Sequence, residues 1–189
     1  KVCTWDRAGL FRKIAGSLSA ASLNILSAQI FTRSDGIVLD TFYAVDARSG
    51  GLGTPEQRDA FEKVIYRSLT GEEVDFPALI AKQKISRPAY QAYTGERLPT
   101  RIHFDNESSD TRTVIEVEAE DRVGLLYTIS QVLTDLELDI SAARINTEMG
   151  AAIDSFYVRE VGLGKVTEPE RHQLIERRLR HAIAELEKK

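Results

Sequence analysis

The chain has 189 residues, 42% of them hydrophobic, and 25 Lys and Arg against 29 Asp and Glu leave a net charge of -4. Proteins that live on phosphate backbones carry a basic surface, and a membrane span needs about 20 consecutive apolar residues, so neither nucleic acid nor a membrane is expected as a partner. One cysteine, Cys3, can form neither an internal disulfide nor a thiolate metal site, and no charged-then-apolar leader opens the chain, which makes the cytoplasm the expected setting.

The strongest internal signal is a repeat. Asp6-Arg7-Ala8-Gly9-Leu10 returns as Asp121-Arg122-Val123-Gly124-Leu125, an offset of 115 that also relates Ile14 to Ile129, Leu23 to Leu138 and Ala28 to Ala143. Beyond Thr32 the offset falls to 114, relating Asp40, Phe42 and Tyr43 to Asp154, Phe156 and Tyr157. A one-residue change is tolerated at a tight turn, here Ser34-Asp35-Gly36 in one copy and Met149-Gly150 in the other. The chain is a tandem of one folding unit.

In chain order, a first strand carries Cys3 and Trp5, for which burial is expected. Leu10, Ile14 and Leu18, spaced by four, predict an amphipathic helix. Two β-rich runs, 24–33 and 36–46, follow as a hairpin. Thr54-Pro55-Glu56-Gln57 reads as a capping box opening a second helix. Residues 72–99 fall outside the repeat: Asp75-Phe76-Pro77 reads as a helix start, and Ser86 to Pro99, with Pro88 and Gly95, reads as a linker. A closing strand for the first copy is expected at 100–106. The second copy repeats the order. Alternating Thr113 to Ala119 predicts a strand, Leu125 to Leu133 a helix, 139–148 and 151–160 a hairpin, and Thr167-Glu168-Pro169-Glu170 a second capping box. A final helix buries Ile175, Leu179, Ala182, Ile183 and Leu186. The fold class is α+β, an α/β sandwich of two ferredoxin-like βαββαβ modules with antiparallel sheets. The modules span 1–71 and 107–189, with 72–99 between them. Copy two has no residues after its last helix for a closing strand, so its sheet has three strands of its own or borrows an edge from copy one or another chain.

Each Asp-Arg-x-Gly-Leu corner lets backbone approach a ligand closely, and the first-turn N–H groups with the helix dipole attract a carboxylate. An α-amino acid also needs an acceptor for its ammonium group. Asp6, Arg7, Gly9 and Leu10 with Asn24 meet both needs in copy one, and Asp121, Arg122, Gly124 and Leu125 with Asp139 in copy two. The plainer alternative is that Asp6 and Asp121 cap their helices and the glycines serve packing. Asn24 against Asp139 makes the two corners unequal. Glu116, Glu118 and Glu120 read as a solvated strand face, with a divalent cation as the alternative. Arg177-Arg178 and Arg180-His181 read as the outer face of the last helix, with docking to an acidic partner as the alternative.

A strand, Asp-x-x-Gly-Leu, an Ile/Leu-rich helix and an Asn-Ile strand start resemble the ACT-domain family. Ala28-Gln29-Ile30-Phe31-Thr32, Leu39-Asp40-Thr41-Phe42, Ala142 to Thr147 and Asp154 to Val158 resemble, within it, the C-terminal repeats of the bifunctional uridylyltransferase/uridylyl-removing enzymes of PII signal proteins. The resemblance implies nitrogen regulation, glutamine as effector, a PII partner through the parent enzyme, a possible homodimer, and Mg in the parent's catalytic domains. No Gly-Ser followed by Asp-x-Asp and no His-Asp dipeptide is present, and His103, His172 and His181 are scattered, so the chain is expected to be a non-catalytic C-terminal fragment with no metal or cofactor of its own.

Overall fold

In the computed structural model, residues 1–85, 98–148 and 150–188 are described, so most of the expected linker, and Met149 of the second hairpin turn, lie outside them. The elements are β1 (Val2–Trp5), α1 (Leu10–Ala20), β2 (Leu23–Phe31), β3 (Ile37–Asp46), α2 (Pro55–Leu69), α3 (Phe76–Ala81), β4 (Arg101–Asp105), β5 (Thr113–Glu120), α4 (Leu125–Asp135), β6 (Leu138–Glu148), β7 (Ala151–Glu160) and α5 (Pro169–Glu187).

The two sheets expected from the repeat are one. β2 pairs antiparallel with β6, giving the order β1-β3-β2-β6-β7-β5-β4. At the junction Gln29 faces Arg144, its own counterpart, and Ser27↔Asn146 is mirrored by Phe31↔Ala142. A pseudo-twofold axis therefore passes through that pair. Both copies carry the same register irregularity, between Ile25 and Ser27 and between Ile140 and Ala142. Each hairpin turn ties back to the corner beside it: Asp6 N–H donates to the Gly36 carbonyl and Asp121 N–H to that of Gly150, both at 2.8 Å. Gly36 and Gly150 sit at φ 81° and 84°, where only glycine is comfortable.

Several expectations are corrected. Strand 101–105 does not close the first copy; it pairs with β5, Arg101 opposite Glu118 and Asp105 opposite Val114. The missing fourth strand of copy two thus comes from the segment ahead of it, because the short link 106–112 is enough for an antiparallel return. Cys3 and Trp5 are exposed, Trp5 by 63%, since β1 is an outer strand and both side chains point away from the helices. The Thr54 capping box forms, with Gln57 N–H donating to Thr54 Oγ1 and the Gln57 side chain accepting from Thr54 N–H. The second does not: α5 starts one residue later than that box requires, with Glu168 at the cap and no side-chain bond.

The core joins both copies through Ile14, Ile115, Ile129, Leu133 and Phe156, all fully buried. Asp75 caps α3 by accepting from Ala78 N–H at 2.9 Å. That short helix inserts Phe76 where α1 meets α4, against Tyr127 with ring centres 5.4 Å apart. Gly16 makes room for it: a Cβ there would lie 2.6 Å from a Phe76 ring carbon. Gly16→Ala is expected to lose about 1–3 kcal/mol through overpacking. Adding Phe76→Leu should recover part of that loss, and a double-mutant cycle by urea denaturation checks the coupling.

Candidate functional site

The corners of the two copies are built alike. Gly9 (φ 68°) and Gly124 (φ 90°) occupy the cap positions of α1 and α4 in the left-handed region, where a side chain would be strained. Neither helix has a side-chain cap bond or an acidic residue in its first turn. The glycine caps supply no side-chain acceptor; Leu10 and Leu125 N–H donate to the Arg7 and Arg122 carbonyls at 3.1 and 3.0 Å, and no first-turn acidic side chain offsets the positive end of either helix dipole.

The pseudo-twofold axis crosses the partners. Sequence pairs Asn24 with the Asp6 corner and Asp139 with the Asp121 corner; the structure does the reverse. Asn24 Nδ2 donates to Asp121 Oδ2 at 2.8 Å. Asp139 lies instead across a cleft from Asp6, Arg7, Gly9 and Leu10. This exchange follows from β2 and β6 being neighbours, which brings the start of each copy's second strand to the other copy's corner.

The two corners are in different states. Beside Gly9 lies an open cleft of about 600 Å³, within the range of small-molecule sites, with walls from both copies. Beside Gly124 only about 10 Å³ remains. There Asp121 is held by Asn24, Arg122 pairs with Glu120 at 3.1 Å, and both side chains of that pair are almost wholly buried. Ile80 of α3 covers Gly124, 3.3 Å from where a Cβ would sit. Substitutions between the copies account for the difference. Glu120 corresponds to Trp5, so Arg7 has no such carboxylate and donates to the Leu69 carbonyl at 3.1 Å. Asn24 corresponds to Asp139, which cannot donate to Asp6 and repels it, and which pairs with Arg159 at 2.9 Å instead.

Beneath each corner lies a residue that site reasoning from sequence passed over. Asp40 on β3 and Asp154 on β7 are repeat counterparts, 1% and 2% exposed. Asp40 Oδ1 accepts from Phe31 N–H at 3.3 Å, while Oδ2 of Asp40 and Oδ1 of Asp154 are buried without a hydrogen-bond partner. Burial raises the Asp40 carboxyl to about 6, with Phe31 N–H opposing and Asp6 adding to the rise. Burial raises Asp154 to about 8, opposed by a backbone bond from Asn146 and reinforced by Asp121. Asp40 lines the cleft. The signal was available, since both sit on the inward face of a strand, next but one to Val38 and Ala152. Arg12 had none: its counterpart is Tyr127. Both converge on Gln131 Oε1, Arg12 Nη1 at 2.7 Å and Tyr127 Oη at 3.1 Å, and Arg12 Nε is buried without a partner beside Gly9.

Of the carboxylate row on β5, Glu116 is exposed and Glu120 is buried against Arg122. Among the described residues no group of three His, Cys, Asp or Glu could hold a metal ion. Among them, too, no helix is long and apolar enough to cross a membrane.

An aspartate raised by burial stabilises the fold in its protonated form, so stability is highest below the unfolded value near 4 and falls as pH climbs toward the folded value. The window is about 4 to 6 for Asp40 and about 4 to 8 for Asp154, at about 1.4 kcal/mol per pH unit for each group. The lowered carboxyls Asp46 and Asp105 act with opposite sign, below this window. Denaturation at pH 4.5, 6 and 7.5 is expected to show stability falling with rising pH. Asp154→Asn should remove the slope between 6 and 7.5.

Comparison with known proteins places this geometry. A family model described as ACR9-like, ACT-like domain matches residues 101–186. The chain is 39% identical over 183 residues, 95% of its length, to the bifunctional uridylyltransferase/uridylyl-removing enzyme of Azospirillum brasilense. It is 37% identical over 160 residues to that of Rhodospirillum rubrum and 34% over 183 to that of Cereibacter sphaeroides. It spans only 19%, 17% and 19% of those relatives' lengths. A duplicated β-α-β-β-α unit fused into one antiparallel sheet, with an ACT-like match on its second copy, makes the chain a tandem of ACT-like modules similar along nearly all its length to one region of the bifunctional uridylyltransferase/uridylyl-removing enzymes.

Proposed function

We propose that the tandem is an amino-acid-sensing region of a longer uridylyltransferase/uridylyl-removing enzyme, and that a single α-amino acid, glutamine, binds in the cleft beside Gly9. The observation that carries this reading is the open cleft with a buried, unpartnered carboxylate oxygen of Asp40 on one wall and the N-terminus of α1, which has no acidic residue in its first turn, on another. The N–H groups of the α1 first turn suit the effector carboxylate, and Asp40 with Asp6 suits its ammonium.

The far wall supports glutamine over glutamate. Asp139 and Arg159 present an acceptor and a donor side by side, which a carboxamide satisfies with its N–H₂ and C=O together. A side-chain carboxylate there would meet Asp139 and Glu137. Because the cleft has walls from both copies, an effector favours the arrangement of modules in which all these groups reach it, and its influence is limited to its differential affinity for that arrangement. The catalytic steps, the Mg they would use and the PII partner belong in this reading to other regions of the longer protein.

Calorimetry on the chain is expected to give one glutamine per chain, with glutamate and asparagine weaker. Absence of heat with every amino acid would overturn the sensing role. Asp40→Asn should weaken glutamine about tenfold or more, as expected for a lost charge-assisted hydrogen bond, while Asp154→Asn should leave it unchanged. Binding requires Asp40 ionised, so affinity should fall as pH drops from 7.5 to 5.5, and the Asn variant should lose that dependence.

A further inference from the structure

The two copies differ at the outer edge of their sheets. In copy two, β4 lies along β5 and its inward side chains fill the space under α5: Phe104 stacks on His172 with ring centres 4.3 Å apart, and Ile102 packs on the core. Arg180 of α5 reaches the Thr100 carbonyl at the start of the strand. Ile175, Leu179 and Ile183 of α5 are consequently buried to 2% or less. Their counterparts on α2, at an offset of 114, are Phe61, Ile65 and Leu69, and all three are only half-buried. Among the described residues β1 pairs on one side alone, with β3.

That pairing has the same register as β5 on β7. Val2↔Asp40 corresponds to Val117↔Asp154, and Trp5↔Ile37 to Glu120↔Ala151. The copies are thus superposable up to the strand that one has and the other lacks. A row of unpaired backbone groups beside an under-covered apolar helix face takes an extended strand with apolar residues at alternate positions.

We propose that the outer edge of β1 is the seat of a strand from the same polypeptide, contributed by the segment preceding Lys1 in the longer protein and paired antiparallel as β4 is with β5. The offset between the copies places this strand about ten to fifteen residues ahead of Lys1, with its second residue opposite Val2 as Ile102 is opposite Val117. Its second and fourth side chains, in the places of Ile102 and Phe104, lie under Phe61, Ile65 and Leu69. The curated relatives, five or more times the length of this chain, have the polypeptide to supply it. The occupant is the same chain rather than a second copy because the duplicated hairpin already shows an intrachain solution with a short link. This inference is independent of the effector: it holds or fails whatever the cleft binds.

The test compares hydrogen exchange in the 189-residue chain and in the same chain extended by its roughly 25 natural preceding residues. In the extended form, amides of the added segment and of Val2 and Cys3 are expected to exchange about a hundredfold more slowly, with the melting temperature raised by about 5 °C. Aspartate at the two inward positions of the added strand should abolish both changes and leave exchange at 101–120 unaltered. The proposal is overturned if the added segment exchanges freely. It is also overturned if β1 is already protected in the shorter chain, or if its protection in the extended form disappears on dilution, which would make a second copy the occupant.

Discussion

The antiparallel pairing of β2 with β6 is the contact on which the rest of the molecule depends. Either copy alone has a sheet whose second strand is an open edge, and units of this size bury too little surface to be comfortable alone. Joining the edges removes both and sets α1 beside α4, so that one hydrophobic core serves two repeats. The symmetric register, with Gln29 facing its own counterpart Arg144, also determines the geometry of both corners. Each copy's glycine turn is completed by the other copy's second strand, and whatever occupies a corner touches both modules at once.

On that symmetric frame, single substitutions decide which corner is open. An asparagine donates to the aspartate opposite it; an aspartate in the same place repels it. Asn24 therefore locks the Asp121 corner, while Asp139 turns to Arg159 and leaves the Asp6 corner free. The buried pair of Glu120 and Arg122, and Ile80 from the inserted helix, complete the closure on one side. Arg122 has its equivalent in Arg7, but neither the Glu120 carboxylate, whose place Trp5 takes, nor Ile80 has one on the other side. A charge placed in a low-dielectric corner costs more than one in water, which is why one-residue differences have such large geometric effects there.

Asp40 and Asp154 show the same logic one layer deeper. Both are carboxylates on the inward face of a strand, each with an oxygen that finds no partner, and burial disfavours their ionised forms. In the closed corner such a group can only remain protonated. Under the open cleft it lines a space of about 600 Å³, so the same duplicated residue is enclosed in one copy and borders a cleft in the other.

Much of this was legible in the residues alone. The offset of 115 and then 114, the spacing of Leu10, Ile14 and Leu18, and the Thr54 box are local periodicities and turn chemistry, carried by neighbours along the chain, and they determine the duplicated unit, its elements and the glycine corners. Which strand lies beside which is non-local. That Asn24 serves Asp121 and not Asp6, that 101–105 belongs to the second copy's edge, and that Cys3 and Trp5 are exposed all follow from the β2–β6 junction and from strand order. Neither leaves a trace in periodicity, because a strand shows which face it buries but not which edge it shares. The tertiary structure alone decided that one corner is a cleft and the other is filled, since that rests on whether side chains about a hundred residues apart attract or repel once the sheet has brought them together.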